Sequence, residues 1–260
     1  MGKAKHLKGT LSGSGNKLFR IETRIIHLIR KKYNFKNTPI IINNYNRLEY
    51  LKAQVNWLLE CGHYNLHIID NASTYPPLLD YYKRVKATVY RLDRNEGHEA
   101  LWRTHIYQRF SKYYYVLTDP DVLPDETTPT DYIEYFYSLL QEYKMIKKVG
   151  FGLRINDLPD YYPNKSEVIT WEKQFEENPV RPGVYKARID TTFALYRPGA
   201  FFQCWEETLR TGAPYLLRHM PWYENPSTLS PEGEYYLQHA GASSSWYKTL
   251  SGEDERYKLK

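Results

Sequence analysis

The chain has 260 residues, of which 42% are hydrophobic and 25% charged, and its formal net charge is +6. That balance fits a globular α/β-sized protein with a substantial core and excludes a disordered polyelectrolyte or a fibrous repeat. No apolar run reaches the roughly 20 residues of a membrane-spanning helix, and two cysteines, Cys61 and Cys204, are too few and too separated for a disulfide framework. With no signal-peptide core at the start, the expectation is a cytoplasmic protein with reduced thiols.

Residues 1–37 form the first predicted region. A flexible Gly/Ser patch over Gly9–Asn16 precedes a basic stretch in which Leu18, Ile21, Ile25 and Leu28 recur at helical spacing. The pattern predicts an amphipathic helix over Lys17–Tyr33. Such a helix either packs on the domain with a solvated basic face or leans on an anionic membrane as a peripheral contact. No nucleic-acid motif accompanies the charge, so nucleic acid is not an expected partner.

From residue 38 to 125 strands and helices alternate. Pro39–Asn43 (PIIIN) reads as a buried strand, followed by the polar loop Asn44–Arg47 and a helix with Leu48, Leu51, Val55 and Leu58 on one stripe. Asn46 with Glu49 resembles a capping box, and Gly62 marks the stop. Leu66–Asp70 is the second strand, Pro76 or Pro77 opens a short helix, and Ala87–Leu92 is the third strand. A helix over Glu99–Phe110 and a strand over Tyr113–Thr118 complete the run. This order predicts an α/β fold: a mostly parallel sheet with helices on both faces, whose ligand loops gather at the carboxyl ends of the strands.

Residues 126–250 are less regular. Pro129 opens a helix to about Tyr143, and Val149–Arg154 is a fifth strand. Ile155–Arg181 is polar and poorly periodic and reads as an insertion. Val184–Tyr196 holds two short strands with Asp190 between them, Ala200–Leu209 a helix, and Ser230-Pro231 the start of the last helix. Residues 251–260 are a polar tail.

The densest chemistry lies at Thr118–Val122 (TDPDV), where an apolar strand stops at two aspartates one residue apart. Two carboxylates at a strand end suit Mg²⁺ or Mn²⁺ shared with a diphosphate, although Asp-Pro-Asp is also ordinary turn chemistry. Asp70 ends another strand, where it can accept a base or ribose hydrogen bond or close an Asx turn. Arg47 has the guanidinium geometry for a diphosphate and is equally placed to be a helix-surface charge. His219, in RHMPWY, offers either a neutral imidazole ligand or a ring packed on Pro221 and Trp222.

Taken in order, NNYNR (43–47), IIDNAST (68–74), RNEGHEALW (94–102) and TDPDV (118–122) resemble the nucleotide-sugar-binding half of the GT-A glycosyltransferases, closest in layout to family 2. The usual second Asp of the second-strand turn is Asn71 here, and the usual Ala-Arg-Asn after Gly97 is missing. IDTTFALYRPG (189–199) and LRHMPWYENP (217–226) are similar in position to family elements carrying an acceptor-side acid and a late metal-binding His. The resemblance implies a hexosyltransferase of polysaccharide biosynthesis that uses a UDP-linked sugar donor and a glycan or glycolipid acceptor. Donor contacts would come from Asn43, Asn44, Arg47, Asp70, Asn71, Asn95, Gly97 and Asp119. Mn²⁺ or Mg²⁺ would be held by Asp121 with His219, and by Asp119 directly or through water. An inverting reaction needs a carboxylate base, for which Asp190 leads and Glu224 follows; a retaining enzyme would set Asp190 against the donor sugar instead. Trp222, Tyr223 and Trp246 are candidates for a sugar platform. Two other readings stay open: a nucleotidyltransferase, which ordinarily has a glycine-rich phosphate loop that NNYNR lacks, and a non-catalytic sugar-binding relative.

Overall fold

The computed structural model describes residues 33–190, 192–201 and 204–239. The chain divides into Met1–Phe35, of which only residues 33–35 are described, and Lys36–Lys260, which carries the sheet. The predicted basic helix and Trp246 therefore lie outside the described residues, save Tyr33.

The strands are β1 (Ile40–Asn44), β2 (Leu66–Asp70), β3 (Thr88–Arg91), β4 (Tyr115–Thr118), β5 (Val122–Leu123), β6 (Lys148–Leu153), β7 (Pro179–Arg181), β8 (Val184–Lys186), β9 (Ala194–Tyr196) and β10 (Thr208–His219). Their order in the sheet is β3-β2-β1-β4-β9-β6-β10-β8-β7, with β5 paired to the end of β10. Strands β3, β2, β1 and β4 are mutually parallel, as are β6 and β10. Between those two groups β9 runs the other way, pairing antiparallel with β4 and with β6. The α/β class, with a mostly parallel central sheet and helices, is thus what the sequence led one to expect.

The central strands form because their residues are apolar on both sides. Ile40, Ile41 and Ile42 are all fully buried, as expected of a β-branched run inside a parallel sheet. Successive side chains face opposite ways, and both faces are covered. On one, Ile41, Leu117, Ala194 and Tyr196 pack with residues of α3 (Ala100–Arg103) and α4 (Tyr107–Phe110). On the other, Phe193 meets Trp57 of α1 (Glu49–Glu60) and Tyr132 of α5 (Tyr132–Glu142), with ring centroids 5.8 and 5.4 Å away. The remaining helices are α2 (Pro76–Tyr82), α6 (Lys165–Lys173) and α7 (Pro231–His239). No described helix is long and apolar enough to cross a membrane.

Four local expectations are corrected. Asn46 does not cap α1: it has φ 49°, its Oδ1 accepts from the Thr74 and Tyr75 amides, and the Leu48 and Glu49 amides are taken by Glu232 of α7. The helix expected over Glu99–Phe110 is broken at Thr104, which is extended and turns its hydroxyl back to the Ala100 carbonyl. The stretch Ala200–Leu209 has no helix among its described residues; Thr208 onward pairs with β6 and β8, so sheet pairing overrides the apolar spacing. Ile155–Arg181 is more ordered than its pattern suggests, holding α6 and β7.

Candidate active site

The carboxyl ends of β1, β2 and β4 bring the predicted donor loops to one rim, where two polar networks hold them. Asn71 donates to Asn43 Oδ1 at 2.6 Å, and the Asn43 amide donates to the Gly97 carbonyl at 3.1 Å. Asn95 Oδ1 then accepts from the Gly97 amide at 2.8 Å, a turn in which Gly97 takes φ 72°. Asp70 is fully buried; Tyr82 and Arg91 donate to its two oxygens at 3.0 and 3.1 Å, and Asn44 donates to Tyr82 at 2.9 Å. The Asp70 carboxylate is therefore already engaged by protein groups, and so are the buried side-chain amides of Asn43 and Asn71.

The Asp-Pro-Asp turn is held from below by a residue the sequence reading passed over. Gln54, buried on the apolar stripe of α1, donates to the carbonyls of Asp119 and Val122, each at 2.9 Å. A polar residue beside the Leu51–Val55–Leu58 stripe is the signal that could have pointed to it. Just beyond the turn, β5 pairs with the end of β10, so His219 lies opposite Val122. This places His219 Nε2 3.8 Å from Asp121 Oδ2, with the Met220 amide bonded to the Asp121 carbonyl at 2.8 Å. His219 also meets Trp222 edge-on, at 4.7 Å between ring centroids. The packed-ring reading of His219 is what the structure shows, with the acidic turn beside it.

Arg47 and Glu224 join this pair. Arg47 is buried, its guanidinium lies 3.7 Å from the Tyr236 ring centroid, and it reaches Glu224 Oε1 at 3.4 Å. Tyr50 donates to the same Glu224 oxygen, while Glu224 Oε2 is buried with no hydrogen-bond partner among the described residues. Burial pushes the Glu224 carboxyl up, Arg47 and Tyr50 pull it down, and Asp121 raises it again. His219 moves the opposite way: burial, helped by Arg47, lowers it and so favours the neutral imidazole, against the pull of Asp121.

Asp119 faces a cavity of about 620 Å³ that continues past His219 and Trp222. The antiparallel course of β9 explains why Asp190 joins it. Leu117 pairs with Ala194, so the segment entering β9 arrives at the rim where β4 ends, and Asp190 lines the cavity wall. Aromatic walls come from Trp171, Phe175, Trp205 and Trp222. The floor carries the ion pair of Glu172 and Arg210, both buried, with the Arg210 guanidinium 4.5 Å from the Phe175 ring centroid. Neither member of that pair was singled out from the sequence. Tyr223 lies apart from this cavity wall and donates to Asp157.

Among the described residues no three His, Cys, Asp or Glu side chains gather as a metal-holding group. What the rim offers is a carboxylate and an imidazole in one pair, with His219 Nδ1 buried and lacking a hydrogen-bond partner among the described residues. A sparse protein donor set of this kind fits a cation that keeps water and substrate phosphate among its ligands.

No protein-family model and no curated protein matches the chain by sequence. Solved structures with some likeness include glucosyl-3-phosphoglycerate synthase from Mycobacterium tuberculosis in complex with phosphoglyceric acid. It has a TM-score of 0.41 and 13% identity over 62% of this chain, and the match spans 57% of that chain. A mycobacterial protein gives a TM-score of 0.46 and 13% identity over 84% of this chain and 74% of its own. At scores this low neither likeness carries an argument, and the functional reading rests on the residues above.

Proposed function

We propose that the protein is a metal-dependent glycosyltransferase that moves a sugar from a nucleoside-diphosphate donor, UDP-linked, to the hydroxyl of a glycan or glycolipid. The single observation that supports it most is the meeting of Asp121 and His219, 98 residues apart in the chain, at the rim where donor loops and cavity converge. Asp121 and His219 would hold Mn²⁺ or Mg²⁺, with Asp119 facing the cavity beside them. A divalent ion there supplies Lewis-acid stabilisation of the charge on a departing diphosphate. Asn43, Asn71 and Gly97 orient the nucleoside, and Arg47 reads the diphosphate once its hold on Glu224 is exchanged. Asp190, exposed on the cavity wall, takes the proton of the incoming hydroxyl as the general base of an inverting transfer. Glu224, already drawn into the Arg47–Tyr50 cluster, is the second candidate for that task. The aromatic walls suit the apolar faces of a saccharide acceptor.

The test is a thermal-shift titration of UDP-glucose with and without Mn²⁺, joined to a donor-hydrolysis assay. Mn²⁺-dependent stabilisation of about 3 kcal/mol at a hundredfold excess over Kd is expected for a bound donor. Asp121→Ala should abolish that shift and lower hydrolysis by about a hundredfold or more. Full turnover by Asp121→Ala removes the metal mechanism.

A further inference from the structure

Lys148 is the buried charge that the site as described leaves unused. It opens β6 and is fully buried, yet it makes no ion pair among the described residues. An ammonium withdrawn from water without a carboxylate partner is costly, so its position needs a compensating role. Its Nζ donates to the Ile189 carbonyl at 2.7 Å and to the Tyr196 hydroxyl at 3.3 Å. It also lies 5.1 Å from the Tyr196 ring centroid and 5.2 Å from that of Trp205, within cation–π range of both. Ile189 is buried, and the next residue is Asp190; Trp205 walls the same cavity.

We propose that Lys148 is a positioning residue whose ammonium pins the Ile189 carbonyl and the Trp205 ring and thereby fixes the Asp190 wall of the cavity. The effect on turnover rests on the glycosyltransferase reading, whereas the clamp itself rests on the hydrogen bonds and ring contacts. A main-chain carbonyl one residue before a general base sets where that base points, and small displacements of such a group cost rate steeply. The groups facing Lys148 are Asp190 from the segment before β9, Tyr196 of β9 with Tyr115 of β4 stacked on it, and Cys204 ahead of β10, beside which stand Glu207 and Lys147. Burial lowers the Lys148 ammonium to about 8, with Cys204 and Asp190 opposing the shift. As pH rises through that value the charge-assisted bond and both cation–π contacts weaken together, and the wall loosens.

Hydrogen exchange followed by mass spectrometry on peptides covering Val184–Lys186 and Ala194–Tyr196, the paired strands on either side of the clamped segment, reads the clamp without any ligand. After correction for intrinsic rate, the wild-type chain should show protection falling by about tenfold between pH 7 and pH 9. Lys148→Met, whose unbranched apolar side chain fills the same space, should exchange as fast at pH 7 as the wild type does at pH 9. Protection that stays flat across pH 8 in the wild type overturns the proposal, with no variant needed. In UDP-glucose hydrolysis with Mn²⁺, where water takes the place of the acceptor hydroxyl, Lys148→Met should lower kcat by about tenfold or more with KM unchanged, and lose the fall in rate above pH 8. Wild-type kcat with the same alkaline fall in that variant also overturns it. The expected exchange pattern in a protein that hydrolyses no UDP-glucose upholds the clamp and removes the donor reading.

Discussion

The two sides of the Asp121–His219 junction are built from different interactions. At the rim, loops at the ends of parallel strands are tied mainly by short amide side chains: Asn46 to the Thr74 and Tyr75 amides, Asn71 to the Asn43 side chain, Asn95 to the Gly97 amide, with Arg91 on Asp70 as the charged exception. At the cavity, the bracing comes from long charged side chains that span distant segments: Arg210 to Glu172 and Lys148 to Ile189. Short neutral side chains fix geometry with little sensitivity to salt or protonation. Long charged ones bridge irregular segments that no strand ladder aligns, and they carry the desolvation cost of buried charge. The rim loops are therefore held mostly by neutral side chains, and the cavity by two charged braces.

The sharpest way to break this contrast is Arg210→Ala. It leaves the Glu172 carboxylate buried without its counter-ion, and a loss of about 3–5 kcal/mol is expected in denaturant unfolding. Nucleotide binding measured at low temperature should survive, because no donor loop touches the pair; loss of both together would erase the distinction between the halves. A smaller effect, confined to acid, comes from His63. This residue is buried against Tyr132. Burial, aided by the Lys36 charge, lowers its pKa to about 4, with a backbone hydrogen bond at Lys36 opposing the shift. The folded state holds this proton less tightly than the unfolded chain, so the contribution to stability is complete above about pH 6.5 and shrinks as pH falls toward 4. The span amounts to about 3 kcal/mol. His63→Phe should flatten the stability profile between those limits, and an unchanged acid slope would assign it elsewhere. The smallest expected effect is Asn46→Ala, at about 1–3 kcal/mol. It removes the acceptor for two loop amides at a residue of φ 49°. Asn46→Gly relieves only the backbone, so a UDP affinity that drops equally in both variants identifies the amide bonds as what shapes the donor loop.

The donor half was legible because fully buried parallel strands are continuous apolar runs, and Ile40–Ile42 or Tyr115–Leu117 hardly read otherwise. Once that alternation was recognised, the rim position of Asp121 followed. What escaped the sequence were contacts made across long separations. Asn46 and Glu49 have the spacing of a capping box, but the acceptor for the α1 amides is Glu232, 183 residues from Glu49. Strand β10 was hidden for another reason: Gly212 and Pro214 break its pattern where the ladder shifts register, so Thr208 and Leu209 looked like the end of a helix. Glu172 sits in a short polar helix of weak periodicity, and nothing in its neighbours marks it as buried.

That register shift has a consequence for how the molecule can change. Along β10, Thr211 pairs with Phe151 and Leu216 with Gly152, so the four residues 212–215 bulge out while the partner strand advances by one. Arg210 and His219 thus occupy ladder positions on either side of this stretch, of which only Ala213 and Pro214 are exposed: the Gly212 amide is bonded to the Gly183 carbonyl, and Tyr215 stacks on Tyr135 and donates to Asp131. Insertions between Ala213 and Pro214 are therefore expected to leave both residues in line, whereas loss of Gly212 or Tyr215 removes an anchor.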